Sequence, residues 1–163
     1  MLEDFTFLGT IKSLKSESFN WDTVPDVGGV YTVIIKKIGR PDYLLPWGTG
    51  GWFKGKNPNI SEEKLNKKWI YFKSNENRII YIGKAGGKKI IATLKSRIRT
   101  YIRFGKGDAC GHWGGRYIWQ IAGSDNLEVY WKKSNDPEGE EKRMLEIFKN
   151  IHGQKLPFAN LKA

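Results

Sequence analysis

The sequence predicts an α/β domain of the α+β kind: a small, mainly antiparallel sheet flanked by helices. Three stretches carry that expectation. Val30 to Lys37 (VYTVIIKK) is apolar and β-branched enough for a central strand. Ile79-Ile80-Tyr81-Ile82 is a second such run, closed by Gly83. From Ile90 the period changes. Ile90, Ile91, Leu94, Ile98, Tyr101 and Ile102 recur at three- and four-residue spacing, the mark of an amphipathic helix.

Residues 1–27 mix short apolar and polar pieces and end in a turn from Pro25 to Gly29, an extension expected to cover one edge of the core. After the first strand comes an insert from about Gly39 to Asn77. Within it, Leu44 to Trp52 reads as a loop, Ser61 caps a short helix with Glu62 and Glu63 in its first turn, and Trp69 to Lys73 reads as an extra strand. Its aromatics interleave with lysines. Such a mixture either packs the insert onto the domain or offers stacking and charge to nucleic acid, with Trp47 and Trp52 the candidates for contact. In the helix after the second strand, Arg97 falls at the edge of the apolar stripe, between Leu94 and Tyr101. Arg99 and Arg103 fall on the far side, where cations are ordinary. Gly105 to Gly115 is a glycine-rich loop holding Cys110 and His112. Arg116 to Ile121 and Asn126 to Trp131 then read as a third strand and its partner. Asp136-Pro137 opens the last helix, Met144, Leu145, Ile147, Phe148 and Ile151 give it an apolar face, and Gly153 ends it.

The bulk numbers bound the function. A chain of 163 residues is the size of one domain, 1–163, able to bury its own core. Lys plus Arg is 28 against 17 Asp plus Glu, a net charge of +11. That balance points to a polyanionic partner, nucleic acid first and an anionic membrane surface second. Aromatic content of 13% argues against a disordered basic tail. No apolar run approaches the roughly 18 residues of a membrane span. The single cysteine, Cys110, excludes an intrachain disulfide and suits a cytoplasmic protein. Cys110 and His112 have no companions at zinc-ligand spacing.

Several of these residues carry a resemblance. Tyr81-Ile82-Gly83, Lys84-Ala85, Leu94, Arg97, Ile98 and Tyr101 resemble the second half of the GIY-YIG nuclease signature. Gly29-Val30-Tyr31 stands where that family has its first motif. An acidic helix and the closing Pro157 to Asn160 stand where it has its last two, so the match runs from about Gly28 to Asn160. The long insert departs from the pattern, because the family usually links its first two motifs by a short turn.

The resemblance implies an endonuclease that hydrolyses DNA phosphodiesters with one Mg²⁺ (or Mn²⁺) and no covalent intermediate. Tyr31 and Tyr81 would be its two tyrosines, one to deprotonate or orient water and the other to hold the phosphate. A free tyrosine, with a pKa of about 10, is a poor base at neutral pH, so a nearby cation must help. Arg97 would face the charge developing on the phosphate, and Lys84 would hold a phosphate or depress a tyrosine pKa. For the metal, periodicity sets both Glu140 and Glu141 at the border of the apolar stripe and places Glu146 on the outer face. The resemblance selects Glu141, three residues before Met144-Leu145 and seven before Phe148. His112 lies near where some homing endonucleases of the family have a histidine. Asn160 matches the closing asparagine and counts, with Lys84, Arg97 and Trp52, among the residues expected at the nucleic acid. With no separate recognition domain in view, specificity would come from the insert, a partner or a homo-oligomer. The alternatives are a non-catalytic nucleic-acid-binding module on the same fold and a protein-interaction domain.

Overall fold

The computed structural model describes all 163 residues. Four strands, β1 (Thr6–Thr10), β2 (Gly29–Ile34), β3 (Ile79–Ala85) and β4 (Glu128–Lys133), form one antiparallel sheet in the order β1-β4-β2-β3. Four helices accompany it: α1 (Ile11–Lys15), α2 (Glu62–Lys68), α3 (Leu94–Gly105) and α4 (Pro137–Ile151). The sheet is sandwiched. Tyr31 and Val33 of β2 pack with α3 residues such as Leu94, Ile98 and Tyr101, while Val30 and Ile34 pack with Met144, Leu145 and Phe148 of α4. Alternation along one strand thus feeds two cores, and every residue of β2 is buried.

The N-terminal extension becomes the edge strand β1, paired with β4, and the short helix α1. Helix α3 starts four residues later than the periodicity predicts. Thr93 accepts from Ser96 N–H and Ser96 returns the bond, a capping box that fixes the first turn there. Ile90 and Ile91 precede it, and Ile91 is fully exposed.

The expected third strand is not a strand. Arg116–Gln120 is a 3₁₀ helix entered through Gly115, whose φ of +79° is left-handed. The curl buries Ile118, Trp119 and Gln120 in succession, which an alternating strand cannot do. The partner expected at Asn126 to Trp131 is displaced to β4, which pairs with β1 and β2. Trp69 to Lys73 is not a strand either. Trp69 caps the C-terminus of α2 and meets Phe158 edge-on at 5.4 Å, so its backbone has no strand beside it.

The insert is therefore built into the domain. Leu65, Trp69 and Ile70 are buried core. Gln120 donates to the carbonyl of Ile60 and accepts from its N–H, at 3.0 and 2.9 Å. Backbone bonds from Leu44 and Thr49 run to Gln120 and Trp119. No helix is long and apolar enough to cross a membrane.

Candidate active site

Antiparallel pairing sets Tyr31 opposite Gly83 and Val33 opposite Tyr81, bringing the two tyrosines onto the α3 face with ring centroids 5.9 Å apart. Gly83 makes this possible. A Cβ there would lie 2.6 Å from the Tyr31 ring and 2.9 Å from that of Tyr81. Gly29 does the same below, where a Cβ would stand 2.2 Å from the Lys132 carbonyl oxygen and 2.8 Å from Leu94.

His112, wholly buried, closes the cluster. Its Nδ1 lies 2.7 Å from the Gly114 carbonyl oxygen, which can only accept, so Nδ1 carries the hydrogen. Nε2 is then the acceptor, and the Tyr31 hydroxyl donates to it at 2.7 Å. Burial holds the His112 pKa down to about 3, with the nearby Arg97 charge adding to the effect, so the ring is neutral at ordinary pH. Tyr101 fixes the imidazole plane by stacking on it at 4.1 Å and donating to the Gly115 carbonyl. Burial pushes the Tyr31 pKa up to about 12, against the pull of the Arg97 charge, and also raises that of Tyr81 well above the ordinary tyrosine value.

Arg97 stands where the helical phase set it. Its Nη1 donates to the Gly111 carbonyl at 3.0 Å, tying α3 to the loop that delivers His112. Arg99 leaves in another direction, over the ring of Trp21 at 5.9 Å.

On the other face of β3, the half-buried Lys84 ammonium lies 3.1 Å from Glu141 and 3.9 Å from Glu138. Tyr81 and Lys84 are three residues apart and so point to opposite faces of the strand, yet both line one cleft of about 840 Å³. The cleft therefore wraps round the outer edge of β3, and α4 and residues 113–116 form its walls. Of the two glutamates that periodicity left equivalent, Glu140 is taken up by Lys132 and Arg143 at 3.2 and 2.7 Å. Glu146, placed outside by its angle, in fact stands at the rim of the cleft.

Asn160 also borders the cleft, but its amide is committed to β3. It donates to the Ile82 carbonyl at 2.8 Å and accepts from Ile82 N–H at 3.0 Å. Trp52 lies away from the cleft, 45% exposed and edge-on to the more exposed Trp47. Cys110 has its thiol 3.4 Å from the Thr100 carbonyl and takes no part in the cluster.

Sequence reasoning missed the supports of this site. Tyr101 reads as core, the Gly114 carbonyl gives no signal, and Trp113 and Arg116, which line the cleft, sit in a segment read as loop and strand. Comparison with models of known protein families, with curated proteins and with solved structures finds no match.

Proposed function

We propose that this chain is a metal-dependent endonuclease of the GIY-YIG kind, hydrolysing DNA phosphodiester bonds in the cleft along β3. The observation that carries the reading is that Lys84 and Glu141 share the cleft with Tyr81, which packs against the buried Tyr31–His112 pair, with Arg97 near enough for its charge to act on all three rings.

The chemistry needs a proton acceptor for water and a cation opposite the charge gathering on phosphorus. Tyr31 and His112 form a relay for the first task. Tyr31 is wholly buried and Tyr81 lines the cleft, so the relay requires water to reach the Tyr31 oxygen past Tyr81. As that water attacks phosphorus, its proton passes to the Tyr31 oxygen while the Tyr31 proton moves to His112 Nε2. The P–O bond to the leaving oxygen breaks in the same displacement. The Gly114 carbonyl, already holding Nδ1–H, steadies the imidazolium. Burial is the main cost of that cation, and a phosphodiester beside Arg97 offsets the smaller repulsion from the arginine charge. Arg97 supplies the electrostatic clamp, and Tyr81, which lines the cleft, would hold a phosphate oxygen.

Of the three glutamates that line the open cleft, Glu138, Glu141 and Glu146, Glu141 is the least exposed, and one carboxylate completed by water and phosphate fits a hard cation that keeps much of its water. Lys84 beside Glu141 indicates that this carboxylate attracts positive charge. Glu141 is the residue that would hold Mg²⁺ or Mn²⁺, phosphate and water completing the shell. When bound, the ion supplies Lewis-acid stabilisation of charge on the phosphate and leaving oxygens.

The deciding experiment is Mg²⁺-dependent cleavage of plasmid DNA by the wild type, Arg97→Ala and Arg99→Ala. The expected result is cleavage by the wild type and Arg99→Ala and none by Arg97→Ala, with melting temperature and DNA affinity nearly unchanged. Equal losses from the two substitutions would remove Arg97 from the mechanism. A wild type that binds DNA without cutting it would leave a binding module on the same fold.

A further inference from the structure

Of the cleft-lining cations without a part in the mechanism, Arg116, Lys142, Lys149 and Lys162, Arg116 is the one held between aromatic rings. Its guanidinium is half-buried and lies over the Trp113 ring at 4.3 Å and the Tyr117 ring at 5.0 Å. One Nη1 hydrogen goes to the Trp113 carbonyl at 3.2 Å, while the buried Nε has no partner at all. No carboxylate neutralises it, whereas Arg103 has Asp108, Arg143 has Glu140 and Lys84 has Glu141 and Glu138. Two aromatic faces therefore fix the plane of a planar, five-donor cation and leave most of its donors unspent. A half-buried arginine without an anion is costly to maintain, and burial lowers its pKa.

Trp113 and Arg116 line the same cleft as Tyr81 and Lys84. Gly115, between them and the tyrosines, is pressed so close to the Tyr81 ring and the Tyr101 hydroxyl that a Cβ would lie 2.7 and 2.8 Å from them. The wall is thus seated directly on the tyrosine cluster.

We infer that Arg116, held flat by Trp113 and Tyr117, is a second phosphate seat in the cleft, gripping the nucleic-acid backbone at a phosphate beside the one that Arg97 and Tyr81 would take. The inference rests on the proposed nucleic-acid substrate but not on the cleavage chemistry. A guanidinium fork suits two oxygens of one phosphate, and its stacking removes the rotamer freedom that binding would otherwise have to freeze.

The test is the salt dependence of binding to a duplex DNA oligonucleotide without Mg²⁺, by fluorescence anisotropy. Each phosphate contact contributes about 0.9 to the slope of log K against log salt. Arg116→Gln is expected to weaken binding by about tenfold or more and to lower the slope by about 0.9. Arg143→Gln, an exposed arginine paired with Glu140, is expected to leave the slope unchanged. An unchanged slope in folded Arg116→Gln overturns the inference. If that variant does not fold, Arg116→Lys decides. Keeping the charge but losing the stacked fork, it is expected to bind several-fold more weakly at an unaltered slope, and wild-type affinity would overturn the proposal. A wild type that binds but does not cut removes the nuclease reading and leaves this test standing. A wild type that binds no nucleic acid removes both.

Discussion

His112 is neutral because the two atoms around its ring demand it: the Gly114 carbonyl can only accept, and Tyr31 is left to donate. Burial places its pKa near 3, far below the unfolded value of about 6.5. The unfolded chain therefore binds a proton that the native state refuses. The stability this group contributes is complete above about pH 6.5 and is lost as pH falls towards 3. Thermal melting of wild type and His112→Gln across that range should show a steeper acid loss in the wild type, and parallel curves would contradict it. The neighbouring glutamates separate at the same scale. Arg143 holds the Glu140 carboxyl down to about 2, with Lys132 assisting, so Glu140 is engaged in structure. Glu140→Gln should cost some thermal stability and retain cleavage. Glu141→Gln should fold normally and lose metal-dependent activity, and metal located at another carboxylate in a Mn²⁺-soaked crystal would refute the assignment.

The insert has two parts with different physics. Leu65, Trp69 and Ile70 are core, so the segment cannot be exchanged for a short turn without opening the cluster around Phe158. Trp69→Ala should cost about 3–5 kcal/mol. Trp47 and Trp52 are 63% and 45% exposed on a loop that also carries Lys54 and Lys56. Their loss should change stability by only about 0.5 kcal/mol. If they stack on nucleobases, each substitution to alanine should weaken DNA binding by about 1–3 kcal/mol. Calorimetric melting and anisotropy on the same variants separate the cases, and a lower melting temperature with unchanged affinity would return both to a packing role. Gly51 against the backbone of Asp108, and Phe53 against Gly111, place this loop behind the segment that delivers His112.

At the scale of the whole molecule, the chain's last residues close the sheet. Strand β3 has β2 on one side only, and an open strand edge is a hazard unless covered. Ala159 donates to the Ile80 carbonyl and Asn160 engages both backbone groups of Ile82. Beyond that clasp the edge is free, and there the cleft turns from the Tyr81 face to the Lys84 face. Asn160→Ala would leave a buried donor and acceptor unpaired, at a cost of about 2 kcal/mol or more by chemical denaturation. A change within error would mean that water replaces the amide.

Local order in the sequence was enough for the first two motif strands, the phase of Arg97 and the last helix, because period and capping residues are properties of neighbouring positions. Val30 to Ile34 and Ile79 to Ile82 could only be strands, and Leu94, Ile98 and Tyr101 could only share a face. What lay beyond reach depended on contacts between distant residues. Arg116 to Gln120 alternates like a strand but curls, because the insert had already supplied its backbone partners through Tyr43, Leu44 and Thr49. Periodicity left Glu140 and Glu141 equal, and only the seating of α4 across β3 gave one of them to Lys132 and the other to Lys84. His112 lay in a loop without period, and its bond to Tyr31 exists because the fold brings together residues 81 positions apart.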